Sequence, residues 1–163
     1  MSPDVAAPLA EAAARIDRAA ELIGQLASRV RDLADALTKD PEGPLASALA
    51  FTLERFYTAL EDALARAIGA LDSQLPSGER WHEELIDRAL TPIPGLRPRI
   101  LAEAAAAPAH RLRSLRHFLR HAYSVELDPS RLLLGAQDVA ALATQAGDDL
   151  RAFARLLLSA TER

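Results

Sequence analysis

The sequence predicts an all-α protein, an antiparallel helical bundle of about five helices. Three observations lead there. Apolar residues recur at alternating steps of three and four along most of the chain, the period of a helix with one buried face. Clusters of proline and glycine interrupt that pattern and divide it into segments. No stretch of any length alternates apolar and polar residues as a half-buried strand does.

The first helix carries Ile16, Ala19, Ile23, Leu26, Val30, Leu33 and Leu37, one continuous seam that ends at "TKDPEGP". It is long and regular enough for coiled-coil-like packing, within the chain or between chains. Ahead of it lies an Ala-rich start. The second helix carries Leu49, Leu53, Phe56, Leu60, Leu64, Ile68 and Leu71 and stops at "LPSG". A shorter third covers Glu79 to Leu90. It breaks at "TPIPGLRP", a turn or rigid connector with three prolines and a glycine. The fourth runs from Ala109 to about Val125. "LDPSR" then restarts the chain: Asp128 caps, and Pro129 suits the first helical position. The last helix shows Val139, Leu142, Ala146, Leu150, Phe153 and Leu157.

At 163 residues, 50% of them apolar and 26% charged, the chain reads as one domain over 1–163 with a core of its own. It contains no cysteine, which excludes disulfides and thiolate metal sites and suits a reducing cytoplasm, the expected location. No apolar run approaches the roughly 18 residues of a membrane span. The N-terminus lacks the basic-then-apolar order of a secretory signal. No membrane association is expected.

Against a net charge of −4, the stretch "RHFLRHAY" gathers Arg116, His117, Arg120, His121 and Tyr123 without a carboxylate. On a helical wheel Leu112, Leu115, Phe118, Leu119 and Ala122 form the core face. Arg113, Arg116, His117 and Arg120 fall opposite. Arg116 and His121 stand about 140° apart, so a bend or a second copy of the helix is needed to aim both at one substrate. Arginine matches phosphate geometry, histidine moves a proton near neutral pH, and tyrosine stacks or donates. Such a set suits a phosphodiester: histidine for the 2′-hydroxyl or the leaving oxygen, arginine for the crowded phosphate. From composition and spacing, a solvated or ion-pairing face is the stronger reading and a phosphodiester site the weaker.

The motif Arg116, four residues, His121, one residue, Tyr123 resembles that of the HepT-type ribonuclease toxins in the HEPN superfamily. "FYTALEDALARAI", "WHEELI", "GLRPRIL" and "LRHFLRHAYSVELDPSRL" resemble that family's flanking segments, over roughly residues 15 to 160. The resemblance implies a metal-independent endoribonuclease toxin of a type II toxin–antitoxin system, with RNA, possibly in the form of tRNA, as substrate. It implies a homodimer or higher even oligomer with motif helices facing each other. Arg116 and His121 would be the catalytic pair, with Arg113, His117 and Arg120 as RNA-phosphate contacts and no cofactor. Tyr123 would receive AMP from a separate MntA-like nucleotidyltransferase antitoxin, since no such domain is visible in this chain. The alternative is a non-catalytic module of the same fold that binds an acidic partner or a nucleotide.

Glu54, Glu61 and Asp62 could orient a basic motif residue, though a solvated face is the commoner role. Glu79 and His82 have the Glu-x-x-His spacing of di-iron bundles, but only one such pair is present, so no metal site is expected. Trp81 reads as a packing anchor and His110 as a surface residue.

Overall fold

The computed structural model describes residues 3–41, 44–72, 74–121 and 126–162, with residues 3–5 as backbone. In chain order the helices are α1 (Pro3–Lys39), α2 (Leu45–Gly69), α3 (Trp81–Leu90), α4 (Ala106–His121) and α5 (Pro129–Thr161). A 3₁₀ turn, Glu103–Ala105, leads into α4. Among the described residues no strand forms, and an isolated antiparallel bridge joins Ile93 to Arg97. The all-α bundle expected from the periodicity is the fold observed.

Two long helices make the frame. At 1.5 Å per residue, α1 spans about 55 Å and α5 about 50 Å. They pack along each other, and α2 lies against both. The short α3 and α4 sit on the flank of α2 and touch each other, while α4 also rests on α5.

The seam of α1 is consumed inside the chain. Ile16, Ile23, Val30 and Leu37 are at most 1% exposed. Ala20 rather than Ala19 occupies the core position between them, because a 3.6-residue period drifts from strict three-and-four steps. The seam also extends back through Ala13 to Leu9, so the Ala-rich start is helix. Leu49, Leu53, Phe56, Leu60, Leu64 and Ile68 of α2 meet it, with Val139, Leu142, Ala146, Leu150, Phe153 and Leu157 of α5. No helix among the described residues is long and apolar enough to cross a membrane.

Local signals set the ends. Asp128 accepts from the Ser130 N–H at 2.9 Å and Pro129 takes the first helical position, as the sequence indicated. α4 begins at Ala106, ahead of the expected Ala109. Pro108 is tolerated because the first four N–H groups of a helix have no partner within it. The expected end near Val125 lies outside the described residues. Gly135 lets α5 approach α4 and α2 closely: a Cβ there would run into Leu115 Cδ2 and sit 3.3 Å from Leu53 Cδ1.

The proline-rich connector is built around Arg97. Gly95, at φ +78°, turns the chain so that Ile93 and Arg97 exchange backbone bonds of 2.9 and 3.0 Å. The Arg97 side chain is fully buried. It forks onto Asp72 at 2.7 and 3.1 Å and donates to the carbonyls of Thr91 and Arg88 at 3.0 and 3.1 Å. One guanidinium thus ties the exit of α2 to the end of α3. Arg97→Ala leaves the buried Asp72 carboxylate without its cation. We expect it to lower the unfolding free energy by about 3–5 kcal/mol in chemical denaturation. A loss under about 1 kcal/mol, the size of an ordinary surface change, would contradict this role.

Candidate functional site

α4 buries Leu112 and Leu115 and so fixes where its polar residues point. They divide into two groups. Arg113 and Arg116 turn toward α2 and α3, whereas His117, Arg120 and His121 are exposed.

Arg116 is the centre of the first group. Its side chain is only 11% exposed, and its Nη1 lies 3.8 Å from Glu61 Oε1. The guanidinium carbon stands 5.5 Å from the centre of the Tyr57 ring, within cation–π range. Glu61 is itself 5% exposed. Its second oxygen, Oε2, contacts Nδ1 of His82. An ionised carboxylate only accepts, so Nδ1 carries the hydrogen and donates; Nε2 is then the nitrogen with a lone pair when the ring is neutral. Trp81 packs on the His82 ring with centroids 3.8 Å apart. Glu61 on α2, His82 on α3 and Arg116 on α4 therefore share one carboxylate, with Tyr57 one helical turn before it.

Electrostatics within this group run in opposite directions. Burial pushes the Tyr57 phenol well above its ordinary range, and the Glu61 charge adds to that; Arg116 and Arg113 pull it back more weakly. Both arginines are under-bonded. Among the described residues, Nε of Arg113 and Nε of Arg116 are buried without a hydrogen-bond partner. An arginine has five N–H donors, and in each of these two the Nε–H is left unmet.

In the second group Arg120 Nε lies 3.1 Å from Glu54. His121 donates Nδ1–H to the His117 carbonyl at 2.7 Å, and the two rings are 4.4 Å apart. Arg116 and His121 share no hydrogen bond within the chain. Asp62 is exposed. Tyr123 lies outside the described residues.

Some sequence expectations require correction. Arg116 does not lie on a solvated stripe, because the polar flanks of α2 and α3 cover it. Glu61 is not a solvated acid but the partner of two bases. His82 was set aside as half of an incomplete metal pair. Glu79 precedes α3 and is exposed, while His82 spends Nδ1 on Glu61. A signal for His82 existed: it stands three and four residues before Leu85 and Ile86, both 1% exposed, and so shares their inward face. Trp81 does pack against the core, and His110 bonds Asp87 at 3.0 Å. Among the described residues no three His, Asp or Glu side chains converge as metal ligands.

Tyr57 gives this cluster a measurable signature. A phenol whose folded pKa is raised contributes stability that is intact below its ordinary value of 10.0 and lost as pH climbs through the folded value. We expect the phenolate absorbance difference between wild type and Tyr57→Phe to develop well above that ordinary value, together with alkaline unfolding. Titration of this phenol at the ordinary value would refute the burial argument.

The sequence model described as HepT-like protein matches residues 48–157, from α2 through most of α5. No curated protein and no solved structure matches the chain.

Proposed function

The chain belongs to the HepT-like family, in general one of ribonuclease toxins, and on that footing we propose that it is a metal-independent endoribonuclease. Its role is the toxin of a type II toxin–antitoxin pair, and RNA, with tRNA the first candidate, is the substrate. The observation that carries the reading is the motif arginine. Arg116 is a nearly buried cation with one carboxylate at 3.8 Å and an Nε without an acceptor among the described residues. A phosphate oxygen is the natural complement of such a group. Its charge counts for more there than in open water.

His121 is the proton-transfer residue of the motif. Its Nδ1–H is held by a backbone carbonyl, which leaves Nε2 for chemistry. No hydrogen bond joins Arg116 to His121 among the described residues, and on an ideal helix they point about 140° apart, which favours a symmetric pair of motif helices. The exposed His117, Arg120 and His121 suit that arrangement. So does Phe51, 62% exposed and one turn before Glu54 on the same face of α2. Arg113, His117 and Arg120 serve as phosphate contacts beside the reacting group.

Arg116→Ala and His121→Ala are each expected to cut the rate of bulk tRNA cleavage in EDTA by about 10²–10⁴-fold while keeping helical content. Full activity in His121→Ala would overturn the assignment. Cleavage of neither tRNA nor total RNA by the wild type would favour a non-catalytic module that binds an acidic partner.

Tyr123 is the proposed acceptor of AMP from a separate MntA-like nucleotidyltransferase. Its phenolic oxygen would attack the α-phosphorus of ATP and release pyrophosphate. The adenylate would add bulk and negative charge near the motif and compete with the RNA phosphate. Intact mass after incubation with that partner and ATP should rise by one adenylate in wild type and not in Tyr123→Phe. A gain that persists in the variant would move the modification elsewhere.

A further inference from the structure

We propose that His82, oriented by Glu61, is the general base of the ribonuclease site, working in the same subunit as Arg116; this rests on the ribonuclease reading above. Three observations carry it. The His82 ring is fixed rather than free: Nδ1–H donates to a carboxylate that is 5% exposed, and Trp81 stacks on the ring. A carboxylate behind an imidazole sets its tautomer and stabilises the imidazolium that forms when Nε2 takes a proton. The ring is not sealed in, since its side chain is 29% exposed. Finally, the other oxygen of the same carboxylate faces Arg116, so the base and the phosphate-binding cation are both positioned by one group.

The chemistry calls for two proton-transfer groups. Cleavage by the 2′-hydroxyl needs two proton transfers. A base removes the 2′ proton as O2′ bonds to phosphorus. The P–O5′ bond breaks, and an acid gives O5′ a proton, leaving a 2′,3′-cyclic phosphate and a 5′-hydroxyl end. His121 supplies one transfer and His82 the other. His82 contacts Glu61 of α2; that carboxylate also faces Arg116 of α4, Tyr57 stands one turn before it, and Arg113 of α4 is within electrostatic reach of Tyr57 and of Glu83, the residue after His82. The two arginines favour an anion at this cluster.

A purely structural role must be separated from this one, because the Glu61–His82 contact also joins α3 to α2. His82→Asn does so. Its side-chain amide can still donate to Glu61 but cannot accept a proton near neutral pH. Initial rates on bulk tRNA in EDTA are measured across pH for wild type, His82→Asn and His121→Ala, with melting curves for each. His82→Asn is expected to melt like the wild type, keep KM within a few-fold, and lose about 10²–10⁴-fold in kcat. It should also lose the acid limb of the pH profile. Wild-type kcat with both limbs in His82→Asn, beside an inactive His121→Ala, would overturn the role of His82 and leave the ribonuclease reading standing. An inactive wild type would end both. If His82→Asn melts lower, Glu61→Gln takes its place, keeping an oxygen acceptor for Nδ1–H. A fall in kcat at constant KM is then expected, and a wild-type kcat would overturn the proposal.

Discussion

A carboxylate taken out of water costs several kcal/mol unless cations or donors meet both of its oxygens, and Glu61 meets that demand with His82 on one side and Arg116 on the other. The three residues come from α2, α3 and α4. The contact is therefore a joint between helices as well as a chemical group. Its effect is largest on α3. A helix of ten residues is too short to be stable alone, since isolated helices below about 12–15 residues are marginal in water. Apolar burial of Leu85, Ile86 and Ala89 holds its middle. Polar contacts hold its ends: His82 to Glu61 at the start, and the Arg88 carbonyl to Arg97 beyond the finish. Orientation of the His82 ring follows from this two-ended attachment.

Much of the fold was legible because helical bundles write their pattern in period and punctuation. The seams of α2 and α5, the Asp128–Pro129 start and the proline-rich connector could all be read in advance. The beginning of α1 could not, for a physical reason. Alanine favours helix strongly but carries little hydrophobic signal, so an Ala-rich segment reads as low complexity while folding readily onto a partner.

The site was legible only in part. Family resemblance singled out Arg116, His121 and Tyr123 as a motif, but an ideal wheel treats every polar stripe as facing water. Whether a neighbouring helix covers the stripe depends on tertiary packing, which a wheel lacks. The same gap left Glu61 undecided between orienting a basic motif residue and facing water, because nothing in the local sequence separates it from Asp62, its exposed neighbour. His82 differs in this respect. Its spacing to Leu85 and Ile86 marks an inward histidine, and an inward histidine needs a partner.

The basic stripe admitted two accounts, ion pairing and phosphate binding, and the structure shows that its members are not alike. Arg111 is paired with Asp138, His110 with Asp87, and Arg120 with Glu54. Solvent screening makes such pairs weak, so an incoming anion can displace them at little cost. Arg113 and Arg116 are different. Their Nε groups are buried and lack partners among the described residues, and a buried donor left unmet costs about 1–3 kcal/mol. A bound anion would recover part of that cost. On the proposed reading, a net charge of −4 does not oppose anion binding, because local donors and not the overall charge set affinity at such a point. The contact between Glu61 and Arg116, at 3.8 Å, is longer than a hydrogen bond. It holds the guanidinium near the carboxylate without saturating its donors, the state the proposed phosphate role requires.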